Sequence, residues 1–197
     1  MKVIIENVDG SGSVQFDVLK SICGNDLQSM IDLGSGNCPT TRLLGFKEKF
    51  YIDVVNRDLG EENKYFIQHD ILELVNSKFH VNAGVCLSLD NLEHFWEEDG
   101  IKIIKWMKEN SKKQIVFTPQ GEYMNVRDKE NTHPDTHKKS WTDIEFQEMG
   151  WATITFPHFH PTLGENGLGA FFAFNCDNLE QEFNRITNEL KNMKWIK

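Results

Sequence analysis

A chain of 197 residues, 39% hydrophobic and 26% charged, is sized and composed for one globular domain with one core. No apolar run approaches the roughly 18 residues that span a bilayer. The opening Met1-Lys2-Val3-Ile4-Ile5-Glu6 also lacks the apolar stretch of a secretory signal, so a cytoplasmic protein is expected. The net charge of −9, with basic residues in pairs such as Lys112-Lys113 and Lys138-Lys139, argues against a nucleic acid gripped by its phosphates.

Residues 1–28 read as an N-terminal extension with a helix over 14–23, where Val14, Val18, Leu19 and Ile22 recur on one face. Short apolar strands are expected at 29–33, 49–53, 64–68, 83–89 and 114–118, the last ended by Pro119. Between them come a helix start at 40–44, a turn at 70–74 and an amphipathic helix over 97–110. Thr142 with Glu145 three residues on reads as a capping box, opening a helix that closes at Gly150. Two β-like runs, 151–156 and 170–174, flank a glycine-rich loop, and a polar amphipathic helix over about 178–193 follows. This alternation predicts an α/β fold: a Rossmann-like three-layer sandwich with a mostly parallel seven-stranded sheet and an antiparallel edge strand.

Cys23, Cys38, Cys86 and Cys176 form no CxxC pair and read as reduced thiols in or near the core. Phe156, Phe159, Phe171, Phe172 and Phe174 crowd the late strands and read first as core.

The segment richest in chemistry is Met30-Ile31-Asp32-Leu33-Gly34-Ser35-Gly36-Asn37. Glycines directly after a strand let the backbone turn sharply and approach a ligand closely, in the crevice where open α/β sheets bind ligands. A dinucleotide fingerprint needs a third glycine or alanine where this chain has Pro39, which disfavours NAD. Asp32 suits a cationic ligand end better than a pyrophosphate.

On these residues the chain resembles the class I S-adenosylmethionine (SAM)-dependent methyltransferases. Ile31-Asp32-Leu33-Gly34-Ser35-Gly36 is similar to that family's first motif, Asp53 falls where the family holds the ribose hydroxyls, and Gln68-His69-Asp70-Ile71 resembles its adenine-binding motif. Leu87 to Phe95, with Asp90-Asn91-Leu92-Glu93-His94, resembles its active-site segment after the fourth strand. The likeness is specific over about residues 29–120 and general elsewhere. It implies SAM as cofactor and a donor site of Asp32, Gly34, Ser35, Gly36, Asp53, Val54, Asp70, Ile71 and Leu89.

The acceptor side is expected at Asp90, His94 and His137, with His133 a further candidate base in a substrate-side loop over 121–141. His137 shortly before Trp141 matches an arrangement familiar in small-molecule and glycan methyltransferases. The plainer alternatives are that Asp53 and Asp70 are solvated acids at strand ends, that Glu93 and His94 cap or pack a helix start, and that the loop histidines bond locally.

No metal is expected. Thr118-Pro119-Gln120 stands where catechol-type enzymes need Asp-Asn, and a separate site would have to come from His158, His160, His133 or Asp135. The motifs of amino-group and cytosine-C5 DNA methyltransferases are missing as well. The expected activity is methyl transfer from SAM to a small-molecule or sugar-like acceptor, with oxygen preferred. The alternatives are a protein or RNA methyltransferase of the same fold, or a catalytically silent binding protein.

Overall fold

The computed structural model describes residues 1–6, 13–25, 27–37, 40–55, 64–121, 136–160 and 168–196. In chain order the elements are β1 (Lys2–Ile4), α1 (Ser13–Cys23), β2 (Ser29–Leu33), β3 (Glu48–Asp53), β4 (Lys64–Gln68), α2 (Ile71–Asn76), β5 (Ala83–Leu89), α3 (Glu97–Asn110), β6 (Ser111–Gln120), α4 (Asp143–Glu148), β7 (Ala152–His160), β8 (Leu168–Cys176) and α5 (Leu179–Asn192). Two 3-10 turns, Thr41–Leu43 and Leu92–His94, follow β2 and β5.

The strands form one sheet in the order β1-β7-β8-β6-β5-β2-β3-β4. All pairings are parallel except those of β8, which runs antiparallel to both β6 and β7. The α/β class is as expected, with two corrections. The sheet has eight described strands rather than seven, because residues 2–4, expected within a helical extension, pair with Thr153–Thr155 of β7. The antiparallel strand is interior rather than at an edge. Its run Ala170–Phe174 is fully buried, which a strand covered on both faces and hydrogen-bonded on both sides can satisfy.

Strand alternation divides the core into two layers. Met30, Val85, Leu87, Ile115, Phe117, Phe172 and Phe174 face α1 and α5, packing with Val14, Val18, Ile22, Ile186 and Leu190. Ile31, Cys86, Val116, Phe171 and Ala173 face the other way, onto Ile71 and Leu74 of α2, Ile103, Ile104 and Met107 of α3, and Phe146 of α4. Helices thus cover both faces. Fully burying an apolar side chain of this size contributes about 1.5–3 kcal/mol, so these two layers supply the main favourable term in folding.

Several local expectations are met with adjusted bounds. The helix expected from Thr40 is a single 3-10 turn, and the turn at 70–74 is the short helix α2. The Thr142–Glu145 capping box is formed in both directions. Pro119 does not end β6; it stays in register opposite Ala170. Among the described residues no helix is long and apolar enough to cross a membrane.

Strand order reverses between β2 and β5. The chain grows from β2 through β3 to β4, then returns to lay β5 on the other side of β2. That switch point opens a crevice beyond the carboxyl ends of β2 and β5.

Candidate active site

The glycine loop stands at the carboxyl end of β2. Gly34 and Gly36 have φ of 68° and 51°, a left-handed conformation that side-chain-bearing residues adopt at a cost. A Cβ on Gly34 would overlap the Asn91 side chain, whereas one on Gly36 would meet nothing within 4 Å. Asn91 is itself fixed by donating from Nδ2 to Ser88 Oγ at 3.1 Å. The loop after β2 is thereby packed against the segment after β5.

The loop is also tied sideways to β3. The backbone N–H groups of Gly34 and Ser35 donate to Ile52 O at 2.8 and 3.2 Å. Gly36 N–H donates to Asp53 Oδ2 at 2.8 Å, and Val55 N–H to Asp53 Oδ1 at 2.9 Å. A carboxylate can accept about four hydrogen bonds, so Asp53 keeps capacity for a ligand. Ser35 Oγ is buried with no hydrogen-bond partner among the described residues, the condition of a group that awaits one.

Asp32 plays a different part. It is 3% exposed, and its Oδ2 accepts the Thr41 hydroxyl at 2.7 Å, so it ties β2 to the 3-10 turn beyond the loop. Burial pushes its carboxyl up to about 7; the Thr41 bond opposes the shift and nearby Asp53 adds to it.

Asp70 caps α2, its Oδ1 accepting from Leu72 and Glu73 N–H at 2.7 and 3.2 Å while Oδ2 takes no part in the cap. The neighbouring His69 N–H donates to Asp53 O at 3.0 Å, which sets the end of β4 beside the end of β3. Ile71 is buried and packs into the core, Leu89 is partly buried, and Val54 is exposed beside Asp53.

On the β5 side, Asp90 has φ of 48°, one of two non-glycine residues with positive φ among those described. Such strain is retained where the surroundings over-determine it, often at a site. Asp90 lies open to solvent, yet the protein mass around the crevice raises its carboxyl to about 6.

Glu93 is 2% exposed and accepts the Thr118 hydroxyl at Oε2 at 3.0 Å. Burial, followed by the charge of Asp90, raises it to about 8 against the bonds from its own backbone and Thr118. Its carbonyl accepts the backbone N–H groups of Lys138 and Lys139 at 2.8 and 3.2 Å. Trp141, 1% exposed, donates from Nε1 to Leu92 O at 3.3 Å and fills the space left by Gly100. These bonds bring segment 136–141 onto the turn Leu92–His94. The rings of His94 and His137 meet edge to face with centroids 5.0 Å apart. Burial, then the neighbouring His94, lowers His137 to about 4.

Glu93, His94 and His137 offer ligand atoms that all lie within 4.8 Å of one another. The sequence offers His94 and His137 as acceptor-side candidates and places Glu93 in the same active-site segment, with capping or packing as the plainer alternative for Glu93 and His94 alike. The signal for the trio was a Glu-His pair directly after a strand together with a histidine four residues ahead of a tryptophan. Of the other metal candidates, His158 is exposed on β7, while His133 and Asp135 lie outside the described residues. Cys38 and Pro39 also lie outside them; Cys23 and Cys86 are buried free thiols, and Cys176 is a partly buried one.

No protein-family model matches the chain, and no curated protein matches it in sequence. Solved structures do. A DhpI–S-adenosylhomocysteine complex aligns with a TM-score of 0.60 at 14% identity, covering 84% of this chain and 86% of the other. A 1,6-didemethyltoxoflavin-N1-methyltransferase of Burkholderia thailandensis, with bound 1,6-didemethyltoxoflavin and S-adenosylhomocysteine, aligns at 0.59 and 11% identity, covering 86% and 80%. The small RNA methyltransferase HEN1 aligns at 0.58 and 15% identity, covering 85% of this chain and 25% of that one. The chain therefore has the Rossmann-like fold of the class I SAM-dependent methyltransferases.

Proposed function

We propose that this chain is a SAM-dependent methyltransferase whose acceptor is an oxygen of a small or sugar-like molecule. The observation that carries the reading is the Asp53 carboxylate, which gathers Gly36 N–H and Val55 N–H at the switch point and keeps acceptor capacity for a ribose diol. The residues fit the cofactor in two further respects. Ser35 Oγ is buried and has no hydrogen-bond partner among the described residues, and Gly34 presents bare backbone where a side chain would collide with Asn91. Asp70 Oδ2 and the exposed Val54 complete the nucleoside side, with Leu89 at the end of β5. Asp32 acts by fixing the loop through Thr41.

When bound, SAM supplies a methyl group on a sulfonium, which makes that carbon electrophilic. The chain's own task is to align the acceptor in line with it. Asp90 stands at the carboxyl end of β5 and is the residue placed to take the hydroxyl proton, while His94 and His137 lie beyond it as the further acceptor-side groups. With SAM in place, Asp90 would take the hydroxyl proton as the acceptor oxygen gained the methyl, the electron pair of the broken carbon–sulfur bond staying on sulfur. The formal charge of −9 favours a small acceptor over RNA.

The test is transfer of labelled methyl from SAM to a panel of polyhydroxylated small molecules, with amine analogues and short RNAs as parallel arms. Label on a hydroxylated compound, lost in Asp90→Asn, supports the reading. Label on RNA alone would overturn the acceptor assignment, and label on no arm while SAM binds would favour a silent binding protein.

A further inference from the structure

We infer that Glu93, His94 and His137 form a binding site for one divalent transition-metal cation on the acceptor side of the crevice. The inference rests on the methyltransferase reading only for what the cation does; the site itself stands on geometry. The three side chains offer one carboxylate oxygen and two imidazole nitrogens within 4.8 Å of one another. At metal–ligand bonds of about 2.1 Å, two ligand atoms on one cation stand at most about 4.2 Å apart, so small side-chain rotations close the set. Two imidazoles and a carboxylate suit zinc, iron, cobalt or manganese, and three protein ligands leave positions open for an exogenous oxygen.

The arrangement is held from outside, as a metal site requires. Thr118 donates to Oε2 of Glu93 and so orients the carboxylate. Lys138 and Lys139 N–H both bond Glu93 O, which pins the residue after His137 to the backbone beside His94. The indole of Trp141 bonds Leu92 O from beneath. Glu93 is a 2% exposed acid, and among the described residues no lysine or arginine is ion-paired with it. The nearby Lys139 is engaged instead by Glu97 and Glu145 at 3.4 and 2.7 Å. A buried carboxylate without a cationic partner is costly, and a bound cation is what relieves that cost.

The site follows β5 directly, and Asn91, two residues before Glu93, packs on Gly34. A cation there would hold the acceptor by its hydroxyl, so the acceptor class is a molecule with a hydroxyl and a neighbouring oxygen able to chelate. The hydroxyl proton passes to Asp90 and then to water, the oxygen–carbon bond forms, and the sulfur–carbon bond breaks.

The experiment is titration of the full chain with Co2+ alone, followed by visible absorption, with SAM binding measured in parallel by calorimetry. The expected result is one Co2+ per chain with d–d bands of nitrogen and oxygen ligation. Affinity should fall at least tenfold in both His94→Asn and His137→Gln and stay unchanged in His158→Gln. Absence of saturable binding, near-ultraviolet bands of sulfur ligation, or equal loss in His158→Gln would each overturn the site. Because the titration needs no cofactor, Co2+ binding without SAM binding would uphold the site and defeat the methyltransferase reading, whereas SAM binding without Co2+ binding would do the reverse.

Discussion

The Asp53 carboxylate accepts the Gly36 backbone N–H at 2.8 Å and the Val55 N–H at 2.9 Å, so one side chain holds the loop after β2 to the end of β3. Both donors lie near the surface, where water can replace a lost partner. Asp53→Ala should therefore cost only about 1 kcal/mol of stability by urea denaturation. A loss of several kcal/mol would mean that Asp53 is a structural keystone rather than a ligand-facing group.

The two loop glycines should respond differently to the same substitution. Gly36→Ala meets open space and carries only the left-handed backbone cost of about 1–2 kcal/mol. Gly34→Ala carries that cost and also collides with Asn91, so it should be the more destabilising by at least about 1 kcal/mol. Pairing Gly34→Ala with Asn91→Ala should recover only part of the difference, because the Cβ at position 91 would still stand 2.9 Å away. Equal thermal shifts for the two single variants would contradict this packing.

Asp32 gives the fold a pH dependence of defined sign. Its carboxyl is held near 7 against an ordinary value of 3.8, so the folded state binds a proton that the unfolded state has released. Stability therefore rises as pH falls from about 7 towards about 4, and the penalty is fully present above about 7. Glu93, raised to about 8, acts in the same direction. Urea midpoints for Asp32→Asn at pH about 5 and about 8 should differ less than those of the parent chain. An unchanged difference would remove Asp32 as its source.

Gly100 lies in α3, where alanine would ordinarily gain up to about 1 kcal/mol of helix propensity. Here the added Cβ would stand 2.5 Å from Trp141 Cζ2, with Trp141 itself 1% exposed. Gly100→Ala should therefore destabilise the protein, by about 1–2 kcal/mol net of the propensity gain. A neutral or stabilising result in calorimetric unfolding would show that the Trp141 anchor is loose.

Much of the fold was legible because period and length agree over single segments. The bounds expected for β4, β5 and α3 coincide with those observed, since each is a clean apolar run or a one-faced helix. What escaped depends on distant partners. Lys2–Ile4 is too short to signal a strand and becomes one only by pairing with Thr153–Thr155. Pro119 reads as a strand breaker, yet β8 continues opposite it to Gly169. The glycine loop and strand-end acids proposed for the donor side could be named from the sequence because they keep a fixed order along the chain. The Glu93–His94–His137 cluster could not, because only the bonds from Lys138, Lys139 and Trp141 fold segment 136–141 onto residues 92–94. Asp32 reads from the motif as able either to order the loop or to face a ligand; the Thr41 hydroxyl that ties it to the turn beyond the loop is not announced by the motif.

The most direct measurement is isothermal titration of the purified chain with SAM and S-adenosylhomocysteine, with Asp53→Ala and NAD as comparisons. Saturable one-to-one binding of both ligands, weakened about 10–100-fold by the substitution and absent for NAD, is the predicted result, since hydrogen bonds to a charged group are each worth about 1.5–3 kcal/mol. Binding of neither ligand at millimolar concentration, or binding of NAD instead, would contradict the assignment of the crevice to SAM.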